Sequence, residues 1–230
     1  MVEWSIIIPT LNEEKYLPKL LDSIEAQDFD NYEIIVVDSE SDDNTVGVAR
    51  DYGCRVLKGQ RGIPSINRNI GAKHARGKNL IFFDADVVLP NGFLRDNTSY
   101  FEEKGFDVAG GYSWPVEKST LNNLLRLMVN TGLFLSQYIK PAATGCCIFA
   151  KKSLHEKFSF DESLKFFEDA TYVETMVRND AKFGLLRSPL EVSMRRFDKY
   201  GPIKTSIKSV RLIMESLLEK KQGEYEFGDY

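Results

Sequence analysis

Residues 5–27 read SIIIPTLNEEKYLPKLLDSIEAQ, and residues 32–39 read YEIIVVDS. A β-branched run stops at Pro9 and Thr10, and the pattern then changes to a helical one with Leu17, Leu20, Leu21 and Ile24 on one face. A second apolar run follows. Strands that are apolar throughout and separated by a helix imply a parallel sheet covered on both faces. The alternation continues downstream. Residues 43–52 predict a helix carrying Val46 and Ala49, and CRVLKG (54–59) predicts a short third strand. Pro64 suits the first turn of a helix that runs to about Ala75 and is stopped by Gly77. KNLIFFDAD (78–86) is then a fourth strand. The fold class is α/β, built on a mostly parallel central sheet.

In such sheets ligands bind beyond the carboxyl ends of the strands. That rule selects Pro9, Thr10, Asn12 and Glu13 after strand one, Asp38 after strand two, and Asp84 and Asp86 after strand four. Asp84 and Asp86 are expected to point the same way along a strand because side chains alternate, and paired hard oxygens suit Mg2+ or Mn2+. Aspartates also cap turns. On these residues alone both readings stay open. No glycine-rich phosphate loop is present: PTLNEE follows strand one, and no G-x-x-x-x-G-K-[ST] occurs. A bound diphosphate would therefore need a cation and basic side chains, for which Arg61, Arg68, Arg195 and Arg196 are the candidates.

The second half is less regular. DVAGGYSWP (107–115) predicts a strand with a turn softened by glycine, and residues 119–141 an apolar helix. ATGCCIFAKKSL (143–154) predicts a strand entering a short helix. Residues 168–181 predict an amphipathic helix with Ala170, Val173 and Val177 inward, and KFGLLRSP (182–189) and EVSMRRF (191–197) two more strands. Ile203, Ile207, Val210, Met214 and Leu217 form the stripe of a final helix, with residues 223–230 as a loose tail. Without repeats or linkers, residues 1–230 are expected to form a single domain.

The 230 residues carry a net charge of −4, which supplies no general reason to bind nucleic acid. Cys54, Cys146 and Cys147 contain no C-x-x-C pair, and the adjacent two are expected to be small apolar residues of a buried strand. Two histidines make an ordinary zinc site improbable. MVEWSIIIPT lacks the basic and long apolar regions of a secretion signal, so the expected location is a reducing, cytoplasmic compartment. Residues 127–139 fall short of the ~20 apolar residues that span a bilayer. Contact with the inner membrane face stays open.

Four stretches in order resemble the family 2 glycosyltransferases, which have the GT-A nucleotide-sugar fold. They are SIIIPTLNEEKYLPKLLDSIEAQ, EIIVVDSESDDNT, INRNIGAKHARGKNLIFFDADVVLP, and a downstream group joining ATGCCIFAKKSL to FDESLKFFEDATYVETMVRNDAKFG. The resemblance implies that Pro9, Thr10 and Glu13 border the base and ribose of a UDP- or GDP-linked sugar donor. Asp38 corresponds to the residue that bonds the base, Arg68 to the arginine near base and phosphates, Asp84 to a ribose and metal neighbour, and Asp86 to the direct metal ligand. Asp169 corresponds to the general base, with Glu168 beside it to orient the base or the acceptor. Arg195 or Arg196 could supply phosphate contacts.

The implied reaction is metal-dependent transfer with inversion to a hydroxyl of a sugar, polysaccharide or lipid-linked acceptor. Residues 1–110 would form the nucleotide-sugar half, 111–200 the acceptor-side half, and 201–230 a C-terminal helix and tail able to pack on the domain, on a second copy or on a membrane. Two features depart from relatives that mannosylate polyprenyl phosphate. Val88 stands where they often carry a polar residue, and no histidine follows His155. The competing readings are a non-catalytic binding or scaffold subunit of the same fold and a D-x-D phosphotransferase; in the latter the pair follows the first strand.

Overall fold

The computed structural model describes residues 2–117, 119–164 and 166–195. In chain order the elements are β1 (Trp4–Thr10), α1 (Leu17–Glu25), β2 (Tyr32–Asp38), α2 (Thr45–Asp51), β3 (Arg55–Lys58), α3 (Pro64–His74) and β4 (Asn79–Phe83). They continue with β5 (Val87–Val88), α4 (Phe93–Glu103), β6 (Val108–Gly110), β7 (Ser113–Pro115) and α5 (Thr120–Ile139). β8 (Cys147–Lys151), α6 (Lys152–His155), α7 (Glu168–Arg178), β9 (Phe183–Leu185) and β10 (Leu190–Val192) complete the set.

Among the described residues, seven strands form one sheet in the order β3-β2-β1-β4-β8-β6-β9. β8 runs against both of its neighbours, and every other pairing is parallel. A smaller sheet has the order β5-β10-β7. Alternation along the strands sends Ile6, Ile8, Val36, Ile81 and Phe83 into one core with Leu17, Leu20, Leu21 and Ile24 of α1. Ile7, Ile35, Val37, Leu80 and Phe82 enter the other core with Ala72 of α3 and Tyr172, Val173 and Met176 of α7. The four apolar residues of α1 are fully buried, each worth about 1.5–3 kcal/mol of transfer free energy. The doubly covered sheet is as the sequence predicts.

Several local readings are corrected. α1 begins at Leu17, later than the pattern suggests, because Pro18 sits in the first turn and the Glu13 carbonyl accepts the Tyr16 and Leu17 amides in a preceding turn. α3 has already ended at Ala75, whose ψ of 141° is extended. Gly77 serves a different purpose: a Cβ there would lie 2.7 Å from the Ser5 amide nitrogen, where the chain passes β1. DVAGGYSWP holds two strands in different sheets, β6 and β7. α7 turns Val173 inward as expected and packs Val177 against the same core, but Tyr172 and Met176 share the buried face and Ala170 is only partly buried. The sequence reading also passed over α4, which starts at Gly92 with φ 78° and buries Phe93, Leu94 and Phe101.

Met1–Val192 form one compact unit and Ser193–Tyr230 a second. Of the second unit only residues 193–195 are described. Arg196, the stripe from Ile203 to Leu217 and the tail lie outside the described residues. Among the described residues no helix is long and apolar enough to cross a membrane.

Candidate active site

Parallel pairing brings the ends of β1 and β2 together, with Thr10 opposite Asp38. The two following loops are knitted to each other. The Glu13 amide donates to Thr45 Oγ1 at 2.7 Å, the Asn12 amide to Ser41 Oγ at 2.9 Å, and the Asp42 amide to Asn12 Oδ1 at 2.8 Å. Thr10, Glu13 and Asp38 are buried in this edge, and Pro9 is partly so. Asp38 also holds its own turn: it accepts from the Ser41 amide at 3.0 Å and from the hydroxyls of Ser41 at 2.6 Å and Thr10 at 3.3 Å.

β4 ends at Phe83, so Asp84 and Asp86 do not share a strand face by alternation. Asp84 leaves the strand, and Ala85 and Asp86 form a turn into β5. Asp86 is buried and Asp84 partly exposed. α1 fixes the segment that follows. The Leu89 amide donates to Ser23 Oγ at 3.0 Å, while Gln27 donates to the Pro90 carbonyl at 3.1 Å and accepts from the Leu94 amide at 3.2 Å. Phe83 pairs with Cys147 in the antiparallel register. The entry to β8 therefore lies at the same sheet edge as the aspartates.

Arg68, projecting from α3, ties the edge together. Its Nη2 donates to Asp84 Oδ1 at 2.9 Å and its Nη1 to Glu168 Oε1 at 2.8 Å, the second bond joining residues 100 apart in the chain. The side chain is 3 % exposed and lies over the Phe160 ring at 5.4 Å. Burial works to discharge the guanidinium, but Asp84, Glu168 and Asp169 outweigh it and hold its pKa above the ordinary value. Its Nε is buried with no hydrogen-bond partner among the described residues.

Asp169 stands in the first turn of α7, after Phe167 takes a left-handed φ of 58° to start the helix. Its Oδ2 accepts the Gly145 amide at 2.6 Å and its Oδ1 the Ala170 amide at 2.7 Å. Burial and the neighbouring Glu168 carboxylate push the Asp169 carboxyl up to about 7, against the opposing pull of Arg68. That places a carboxyl group near the proton affinity suited to general base catalysis at neutral pH.

Gly145 makes this convergence sterically feasible. A Cβ on it would lie 2.6 Å from Arg68 Nη2 and 3.5 Å from Asp169 Oδ2. Both neighbours are already held by other partners, so Gly145→Ala should displace them. The expected result is a kcat lower by roughly 10- to 100-fold with helical content unchanged, since ångström-scale misplacement costs this much. Steady-state rates together with circular dichroism check it; a wild-type rate would remove Gly145 from the site.

Four of the sequence-derived residues, Arg68, Asp84, Glu168 and Asp169, thus meet in one network. Pro9, Thr10, Glu13 and Asp38 line the adjoining loops. Arg61 stays on the surface with Asp42 at 2.8 Å, outside this network. Arg195 belongs to the second unit and Arg196 is outside the described residues. Sequence reading missed Gly145 and Phe160. It also missed Asn67, which donates to Ser39 Oγ at 2.7 Å and so ties the end of β2 to α3.

Among the described residues no group of three or more His, Cys, Asp or Glu could hold a metal ion unaided. Asp84 and Asp86 nevertheless fit a hard cation that keeps waters and takes the rest of its shell from phosphate. The cysteines do not compete for such a role. All three are free and buried, and burial pushes the Cys54 and Cys146 thiols up to about 11. His155 is buried against the Tyr172 hydroxyl at 2.9 Å, and burial lowers its pKa to about 4.

The family model described as Glycosyl transferase family 2 matches residues 5–158. The minor teichoic acid biosynthesis protein GgaB of Bacillus subtilis is 28 % identical over 198 residues, which are 80 % of this chain and 22 % of that protein. The poly(ribitol-phosphate) beta-N-acetylglucosaminyltransferase TarS of Staphylococcus aureus is 34 % identical over 116 residues, 47 % of this chain and 20 % of that one. The matched part is about a fifth of the length of each relative. Among solved structures, S. aureus TarS 1-349 in complex with UDP-GlcNAc superposes with a TM-score of 0.66 at 25 % identity, covering 84 % of this chain and 58 % of that TarS chain. The mannosyltransferase PcManGT of Pyrobaculum calidifontis, in complex with GDP-Man and Mn2+, shares the fold with a TM-score of 0.67 at 18 % identity, covering 97 % and 66 % of the two chains.

Proposed function

This chain belongs to glycosyl transferase family 2, and from that premise we propose that it moves a sugar from a nucleotide diphosphate sugar to an acceptor hydroxyl with inversion. The observation that carries the reading is the Arg68 network, which joins Asp84 to Glu168 and, through Gly145, stands beside Asp169. A donor-side carboxylate and an acceptor-side base are thereby held around one cation.

In this reading the loops bearing Pro9, Thr10, Glu13 and Asp38 enclose the base and ribose of a UDP- or GDP-linked donor. Asp169 accepts the proton of the acceptor hydroxyl as that oxygen attacks the anomeric carbon from the face opposite the leaving group. Glu168, already bonded to Arg68, orients the acceptor or the base. Arg68 offsets the charge that grows on the departing diphosphate. Asp86, with Asp84 beside it, would hold Mg2+ or Mn2+, whose chemistry there is Lewis-acid neutralisation of the leaving group. That TarS is seen with UDP-GlcNAc and PcManGT with GDP-Man and Mn2+ supports a donor of this class. The single-domain division into a nucleotide-sugar half (1–110) and an acceptor-side half (111–200), and a cytoplasmic enzyme acting on a sugar, polysaccharide or lipid-linked acceptor, belong to the same proposal. So do a homodimer and a role for Arg195 and Arg196 at the phosphates.

A thermal-shift panel of nucleoside diphosphates and nucleotide sugars, with and without Mn2+, tests it. At about 100 times Kd one ligand adds roughly 2.7 kcal/mol, or roughly 5–10 °C for a chain of this size. The shift should require Mn2+ and vanish in Asp86→Ala. No response to any nucleotide would sink the donor site. Tight binding without turnover toward any acceptor would favour the non-catalytic subunit instead.

A further inference from the structure

The geometry points to α5 as a helix that docks on an anionic lipid surface. Its packed side is narrow. Asn130 donates to the Ser113 carbonyl at 2.9 Å and accepts from the Ser113 amide at 3.3 Å, while Arg126 donates to Ser113 Oγ at 3.2 Å. Within the helix only Asn130 and Leu133 are buried. The opposite side carries Leu124, Leu127, Met128, Leu135, Tyr138 and Ile139, which are 52 to 86 % exposed. At 100° per residue these positions fall within a stripe roughly 120° wide. Such a run of exposed apolar side chains marks a surface that something covers.

Charge and shape identify the cover. The chain as a whole is acidic, with 34 Asp and Glu against 30 Lys and Arg. Yet no aspartate or glutamate occurs from Lys118 through His155, whereas Lys118, Arg126, Lys140, Lys151 and Lys152 do. Of these, Lys140 pairs with Glu174 and Lys151 with Asp107, carboxylates that come from outside the stretch. An apolar stripe in a sequence segment that has Lys and Arg but no carboxylates complements acyl chains below anionic headgroups. The stripe is broader than the a/d seam of a two-helix coiled coil. Phe134 and Tyr138 pair edge to face at 5.8 Å near its C-terminal end, and Trp114 of β7 is also exposed; such rings favour the membrane–water boundary. Since the helix is not apolar enough to cross a bilayer, it would lie in the plane of the surface.

Docking needs no sugar donor, so it is measured apart from donor binding. The full chain is spun with vesicles of phosphatidylcholine alone or with a third phosphatidylglycerol, as wild type and as Leu124→Glu/Leu127→Glu/Leu135→Glu. Wild type should sediment with the anionic vesicles, and the triple variant should bind them at least about tenfold more weakly. The three positions are half-exposed, so the variant should keep its melting temperature and its nucleotide-induced thermal shift. Independently, a fluorophore on Tyr138→Cys should shift to the blue on anionic vesicles. Equal sedimentation of wild type and variant would overturn the proposal, as would failure of the wild type to bind. A wild-type dimer that becomes a monomer in the variant, with vesicle binding unaffected, would assign the stripe to a second copy and equally overturn it.

Discussion

Asp169→Asn is expected to lower kcat by roughly 100- to 10,000-fold while leaving nucleotide-sugar binding nearly intact, the range that one general base supplies. Asparagine keeps the size of the side chain and one acceptor oxygen but cannot take a proton from an attacking hydroxyl. The wild-type pH profile gives a second, independent check. The Asp169 carboxyl, pushed up to about 7 by burial and by Glu168, must be ionised to act. Activity should therefore rise about tenfold per pH unit below 7 and level off above it, with the apparent value belonging to the Glu168–Asp169 pair rather than to one residue. In Asp169→Asn that limb should disappear from the residual rate. Loss of donor binding together with turnover would reassign Asp169 to a structural role, and a flat wild-type profile from pH 5 to 8 would separate it from the proton.

How much of this was legible beforehand depends on whether the responsible interaction is local. The four parallel strands β1 to β4 and the helices between them were readable because each buries continuous apolar residues and each helix keeps a fixed period. The topology rule then placed Asp38, Asp84 and Asp86 on one edge without knowledge of any distance. What could not be read depends on contacts between distant segments. β8 enters the sheet antiparallel between β4 and β6, and nothing within ATGCCIFAKKSL encodes that direction. The Gly145 amide bond to Asp169 follows from this insertion, so the glycine appeared in sequence only as part of a motif. The D-x-D pair shows the converse. Its importance was inferred through strand alternation, whereas β4 stops at Phe83 and a turn at Ala85 and Asp86 presents the aspartates, with Ser23 and Gln27 of α1 holding the segment after it. α4 escaped notice because its buried Phe93, Leu94 and Phe101 are interleaved with the polar but buried Asn97 and Thr98, which blurs the apolar period.

Arg68→Met should be the most damaging single change to the fold of the site. The guanidinium is the shared positive partner of Asp84 and Glu168 and the main attraction acting on Asp169. Removing it leaves carboxylates close together in a buried setting, which typically costs about 3–5 kcal/mol. For a chain of this length that corresponds to a melting temperature lower by roughly 6–20 °C. The pH dependence has a definite sign. Loss of the arginine removes the pull that opposes burial at Asp169 and raises that carboxyl further above its unfolded value. The added penalty is therefore fully present above the raised Asp169 value and is relieved as pH falls through it. The gap in melting temperature between variant and wild type should consequently shrink from pH 8 to pH 5. Arg68→Lys separates charge from geometry: one ammonium keeps the positive charge but cannot bridge both carboxylates with the planar fork of a guanidinium. It should recover part of the stability and little of the turnover. If Arg68→Met melts within about a degree of wild type at pH 8, the network is not what holds the donor and acceptor sides of this site together.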